Sequence, residues 1–168
     1  MPKTFGPENA LLTVRTKRTG VASKAGHDLL IEVTSWSATL DPEANPALTL
    51  TADSRSLRVI EGTGGVQALG EDDKAGIRQT IDDQVLEGTP IEFRSTRLEP
   101  GDPMRVEGEL ELHGERRLIA FELSSAGDGG LSGTAVLRQS DWGMRPYSAL
   151  FGTLKVADEV EVAVDTRG

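Results

Sequence analysis

The stretch that decides the fold is residues 104–123, MRVEGELELHGERRLIAFEL. On either side of a break at 113–116, apolar side chains recur at alternate positions between polar ones: Met104, Val106, Leu110 and Leu112, then Ile119, Phe121 and Leu123. Alternation with period two is typical of a strand with one buried face, and two such runs around a short break predict a β-hairpin. A slip of one residue would move the apolar set into water, so the register is strongly specified and the rest of the chain must close around this hairpin.

Similar alternation extends the prediction to about eight antiparallel strands. The predicted strands are 10–18, 29–40, 47–57, 91–98, 104–112, 119–123, 131–140 and 156–166. The phase of the apolar residues changes inside 29–40, which indicates a bulge or a corner. Loops or turns are expected at 19–26, 41–46, 59–70, 99–103 and 127–130, where glycine, proline and polar residues collect.

One segment has helical rather than strand spacing. Ile77, Ile81 and Val85 are four residues apart, acidic residues open the stretch, and Gly88 and Pro90 follow it. This pattern predicts a single α-helix over residues 72–86, whose apolar stripe lies on the sheet or caps one of its ends.

The length of 168 residues fits one domain over 1–168, and no repeat or linker divides it. The fold class is mainly β, because about eight antiparallel strands either stack as a sandwich or close into a barrel. A barrel of that size is filled by its own side chains or holds one small ligand.

Charge and composition exclude several functions. The chain has 27 acidic and 18 basic residues and a net charge of −9, which disfavours nucleic acid as a partner. The absence of cysteine excludes disulfides and thiol chemistry. No stretch is long and apolar enough for a signal peptide or a transmembrane segment, so a soluble, cytoplasmic protein is expected; a trimmed leader and a homodimer both stay open.

Two histidines limit the catalytic hypotheses. His27 precedes Asp28 at the start of a strand, and a histidine paired with an aspartate can act as a general base. Neighbours on a strand point to opposite faces, however, and no motif supplies a nucleophile. His113 lies in the hairpin turn, where histidine tolerates left-handed backbone angles. Neither histidine has a partner at metal-ligand spacing, so we expect no catalytic residue, no metal and no cofactor.

Three passages resemble the YceI-like family, the lipocalin-like, polyisoprenoid-binding type proteins. They are the passage 83–99 with PIEFRST at 90–96, the hairpin with VEGELELHG at 106–114, and the end of the chain with RQSDWGM at 138–144 and VADEVEV at 156–162. The family's first-strand and second-strand motifs are replaced here by residues 8–11 and 25–28, ENAL and AGHD.

The resemblance implies an extended antiparallel lipocalin-like β-barrel with one helix, whose interior takes up an isoprenoid, a quinone or another long apolar molecule. The expected ligand-binding residues are the apolar and aromatic side chains of that interior: Trp36, Phe93, Val106, Leu110, Phe121, Leu137, Trp142 and Tyr147. The leading hypothesis is a non-enzymatic carrier or sequestering protein. Two alternatives stay open, a filled barrel that acts as an acidic interaction module and an enzyme that uses His27 and Asp28.

Overall fold

The computed structural model describes residues 2–19, 27–63, 69–125, 130–149 and 154–166. Within these ranges the fold is mainly β, with the strands β1 (Lys3–Phe5), β2 (Ala10–Thr16), β3 (Arg18–Thr19), β4 (Asp28–Val33), β5 (Trp36–Leu40), β6 (Leu48–Ala52), β7 (Leu57–Thr63), β8 (Ile91–Glu99), β9 (Met104–Leu112), β10 (Glu115–Ser125), β11 (Leu131–Arg138), β12 (Ser148–Ala149), β13 (Leu154–Val156) and β14 (Glu159–Thr166). The helix α1 (Glu71–Thr80) continues into a π-helical turn (Ile81–Val85), and a 3₁₀ turn (Gln139–Trp142) follows β11.

The described strands form one large curled sheet and one small sheet. The large sheet has eleven antiparallel strands in the order β1-β5-β6-β8-β9-β10-β11-β14-β2-β4-β7, and β12, β13 and β3 form the small one. The lipocalin-like β fold is therefore confirmed, but the strand number is higher than predicted. The difference arises because the chain breaks at corners and because short strands such as β1 are too brief for alternation to reveal them.

The hairpin of β9 and β10 has the predicted faces. Val106 pairs with Phe121 across the two strands, and Leu110 pairs with Arg117. Val106 is fully buried, whereas Glu109 is exposed. The break is shorter than predicted, since β10 begins at Glu115 and the turn is confined to His113 and Gly114, whose φ angles of 53° and 78° suit a tight two-residue hairpin turn.

The predicted phase change is a corner at residues 34–35. It divides the predicted strand 29–40 into β4, which pairs with β2 and β7, and β5, which pairs with β1 and β6. A second corner, between β6 and β7, is hydrogen bonded to the first. The backbone N–H of Thr34 donates to the Ser56 carbonyl oxygen, and that of Asp53 donates to the Ser35 carbonyl oxygen, both at 2.9 Å. At these two corners the chain therefore passes between the β5–β6 end and the β4–β7 end of the strand order.

The predicted helix is confirmed, with its regular part ending at Thr80 and a π-helical turn completing it. The expected loop over 59–70 is wrong for residues 59–63, which belong to β7. Val59 is buried between exposed neighbours, but this alternation covers too few residues before the glycine-rich run to predict a strand. Residues 20–26, 64–68 and 127–129 of the predicted loops lie outside the described residues.

Candidate functional site

The curled sheet and the helix line a large apolar cavity that is partly open to solvent. Its volume is about 980 Å³, and each strand of the eleven-stranded sheet contributes to its wall. The wall is formed mainly by aliphatic and aromatic side chains, among them Phe5, Leu12, Val14, Ile31, Ala38, Leu50, Leu57, Phe93, Leu110, Phe121, Leu137 and Val162. A volume near the upper end of the usual range for ligand pockets, with an apolar lining, is suited to a large apolar ligand.

Alternation along single strands creates this lining. On β14, Val160, Val162 and Val164 all face the cavity, as the sequence predicts for the inward face of that strand. On β2, Leu12 and Val14 do the same, and on β4 Leu29 and Ile31. Each of these three strands therefore turns one row of apolar side chains toward the same space.

Seven of the eight expected ligand-binding residues lie in the cavity wall: Trp36, Phe93, Leu110, Phe121, Leu137, Trp142 and Tyr147. Val106 does not belong to the wall. It is 0 % exposed and has no surface to offer to a ligand. Its place in the expected set is corrected to a core position, because alternation identifies the inward face of a strand but not where that face is covered by other side chains.

Aromatic side chains shape part of the wall. The rings of Phe93 and Phe121 are tilted by 56° with their centroids 5.5 Å apart, an arrangement that aromatic pairs favour. Trp142, 2 % exposed, donates from Nε1 to the carbonyl oxygen of Leu110 at 2.9 Å and so fixes the 3₁₀ turn against β9. Trp36 Nε1 is also buried but has no hydrogen-bond partner among the described residues.

The helix covers another part of the cavity. The stripe of Ile77, Ile81 and Val85 lines the cavity and packs against the core, so the apolar side of the helix faces the interior of the sheet, as predicted. Asp72 and Asp73 in the first turn also border the space. The Asp73 side chain accepts a hydrogen bond from the backbone N–H of Gly70 at 3.0 Å, which holds the start of the helix.

Polar residues collect where β2, β3, β4 and β7 end. Arg18 and His27 border the cavity there. The Asp28 carboxylate accepts a hydrogen bond from the backbone N–H of Arg18 at 2.8 Å, and Arg18 Nη1 donates to the carbonyl oxygen of Thr63 at 3.1 Å. The Asp28 carboxylate thus holds β3 beside β4, which gives it a structural role.

Sequence reasoning missed the polar part of the wall. Thr16 and Arg18 line the cavity but lie in none of the passages that resemble the family, and Gln139 lies in RQSDWGM without having been expected to face a ligand. Alternation predicts that strands such as β2 and β14 have one inward face, but nothing in the sequence distinguishes an inward side chain that meets the cavity from one that fills the core. Only the curvature of the sheet makes that distinction.

The sequence model of the YceI-like domain matches residues 33–167. The chain belongs to the YceI-like family. Its fold is similar to that of BcnA from Burkholderia cenocepacia, with a TM-score of 0.66 and 18% sequence identity over 93% of this chain and 94% of that chain. The comparison with curated proteins finds no match.

The fold is also similar to that of the YceI protein of Campylobacter jejuni, with a TM-score of 0.54 and 15% identity over 82% of each chain. A mutant of that protein, whose structure contains a monobromobimane guest, has a TM-score of 0.57 and 14% identity over 82% of each chain. In the described part of this YceI-like chain, no helix has the length and apolar character needed to cross a membrane.

Proposed function

We propose that this YceI-like protein binds a long apolar molecule, of the isoprenoid, quinone or fatty-acid type, inside the curled sheet, and so carries or sequesters it. The observation that supports the proposal is the apolar cavity of about 980 Å³ whose wall draws on each strand of the large sheet. Each buried methylene contributes about 0.8 kcal/mol, so a long chain can offset the entropy lost on binding without an ion pair.

An isoprenoid quinone is a suitable probe, because both tryptophans of the chain, Trp36 and Trp142, line the cavity. Binding should change the tryptophan fluorescence and raise the melting temperature, since a ligand that binds the folded state stabilises it. Native mass spectrometry of the protein purified from cells should show added mass. Unchanged fluorescence and melting temperature, together with a ligand-free mass, would support the filled-barrel alternative instead.

Narrowing the cavity tests the site itself. Ala135 on β11 lines the cavity and pairs with Val162 of β14. We expect Ala135→Leu to weaken quinone binding about tenfold, because forcing extra methylenes into a closely packed complex costs about 1–3 kcal/mol. The dissociation constant is measured by fluorescence titration.

Ala163→Leu is the matched control for that variant. Ala163 lies on β14 between the cavity residues Val162 and Val164 and is not part of the cavity wall. Ala163→Leu adds the same side-chain volume as Ala135→Leu, but on the face of β14 opposite to the cavity residues. The affinity of this variant for quinone should therefore equal that of the wild type. Equal affinities for all three proteins would place the ligand outside the cavity.

The proposal assigns no catalytic step to the protein. His27 borders the cavity, while the Asp28 carboxylate is bonded to the backbone N–H of Arg18. An activity that His27→Ala abolishes without changing the melting curve would favour the enzyme alternative.

A further inference from the structure

The large sheet is open between β10 and β11. Within the described residues the two strands form ladder pairs at Ser124 with Ser132 and at Ser125 with Leu131, and no further pairs toward their other ends. Next to these pairs the backbones are close, since a Cβ added to Gly133 would lie 2.4 Å from the carbonyl oxygen of Glu122. Beyond that point no ladder pairs join the two strands among the described residues, although each strand continues its ladder with its other neighbour, β9 or β14.

A groove of about 240 Å³ lies along this unpaired stretch of β10 and β11. Leu118 and Val136 border this groove from β10 and β11, and they are 72 % and 63 % exposed. Two large apolar side chains are therefore exposed to solvent beside the groove.

The groove and the cavity share part of their walls. Ile119, Ala135, Leu137 and Trp142 line both of them. The outward-facing residues of the same strands, Leu118 and Val136, extend this apolar lining to the surface. The groove and the cavity therefore adjoin each other at the unpaired stretch of β10 and β11.

We propose that the gap between β10 and β11 is a lateral portal through which the apolar ligand enters and leaves the cavity. This inference rests on the proposed function and adds a route to it. Passage between two fully paired strands would break ladder hydrogen bonds, and every buried donor or acceptor left unpaired is costly. At this gap the ladder is already interrupted, so widening it breaks no ladder pairs, and Leu118 and Val136 offer apolar contacts at its outer end.

A bulky thiol reagent at the portal provides the test, because the chain has no native cysteine. Ala120 is exposed and borders the groove, so Ala120→Cys places the label in the gap. Thr39→Cys is the control, since Thr39 is exposed on β5 and pairs with Thr4 on one side and Thr49 on the other.

Stopped-flow tryptophan fluorescence with the isoprenoid quinone measures both rates. Labelled Ala120→Cys should bind and release quinone at least about tenfold more slowly than labelled Thr39→Cys, with little change in the dissociation constant, because a blocked route slows both directions alike. Equal rates in the two labelled proteins would overturn the portal while leaving the proposed function intact. Absence of quinone binding by the wild type would remove the proposed function and the portal with it.

A reversible disulfide across the gap gives an independent test of the portal. Continuing the register of the existing ladder would bring Ala120 opposite Val136, so the double variant Ala120→Cys, Val136→Cys can form a disulfide across the gap when the strands close. Oxidation should slow quinone exchange, and reduction should restore it. Unchanged exchange in a protein shown by mass to be oxidised would contradict the portal, and if the bond does not form, the labelled single variants decide.

Discussion

The two tryptophans, Trp36 and Trp142, differ in whether the indole N–H is hydrogen bonded. Both Trp36 and Trp142 are at least nine-tenths buried and line the cavity, so removing part of either ring loses similar apolar contacts. They differ at Nε1, which donates to the Leu110 carbonyl oxygen in Trp142 and has no partner among the described residues in Trp36. A buried donor without a partner carries a desolvation cost that a hydrogen-bonded donor recovers.

We therefore expect Trp142→Phe to lower the free energy of unfolding by about 1 kcal/mol more than Trp36→Phe does, which is the usual net contribution of one hydrogen bond. Urea unfolding, followed by circular dichroism because the fluorescent ring is removed, measures both values. A smaller loss for Trp142→Phe than for Trp36→Phe would show that the bond to Leu110 does not stabilise the fold.

The sequence predicted the buried faces of single residues well and their polar partners poorly. Alternation placed Val106 and Leu110 inside and Glu109 outside, because period-two spacing determines the side of the sheet. It did not predict the bond from Trp142 to Leu110, which joins positions far apart in the chain, nor that Val106 lies behind the cavity wall. Both depend on how distant strands approach one another.

At the scale of elements, Gly108 and Gly76 differ in whether a larger residue would fit at their positions. In β9, a Cβ on Gly108 would lie 2.4 Å from the Arg94 carbonyl oxygen and 2.6 Å from the Phe93 ring, so β8 and β9 approach each other where only glycine fits. In α1, a Cβ on Gly76 would meet nothing within 4 Å, apart from the helix's own backbone. The ladder between β8 and β9 also shifts register near this point, between Ser95 and Arg97.

Gly108→Ala should therefore lower the free energy of unfolding by about 1–3 kcal/mol, because the neighbouring backbone must move to admit the methyl group. Gly76→Ala should raise it by about 0.5–1 kcal/mol, because alanine restricts the unfolded chain and favours the helix. Urea unfolding of both variants checks the two signs. Stabilisation by Gly108→Ala would show that β8 and β9 do not pack as closely as described.

Elements with a long periodic signal were predicted, and those set by tertiary contacts were not. The hairpin and the helix each rest on several well-spaced apolar residues, and the phase change within 29–40 indicated the corner beside Ser56. β1 spans Lys3–Phe5 and is held by its pairing with β5, which no local pattern encodes. Strand order was also beyond the sequence, because corners send consecutive strands to different neighbours.

At the scale of the whole molecule, charge and apolar surface are separated. The chain carries a net charge of −9, and much of it is distributed over the outer face, where glutamates alternate with the inward side chains of β9 and β14. Some of these charges are paired there; Arg116 Nε donates to Glu111 at 2.9 Å, and this bond raises the pKa of Arg116 above its ordinary value. The inner face instead lines the apolar cavity.

This separation predicts how binding depends on salt. A neutral isoprenoid quinone in the cavity makes apolar contacts that ions in solution do not screen, so its dissociation constant should stay the same when sodium chloride is raised from low to physiological concentration. Binding through the acidic exterior would weaken over the same range, because the screening length of exposed charges falls from about 30 Å at 0.01 M salt to about 8 Å at 0.15 M. Fluorescence titrations across a salt series distinguish the two, and a steep loss of affinity with salt would favour the acidic interaction module over a ligand held in the cavity.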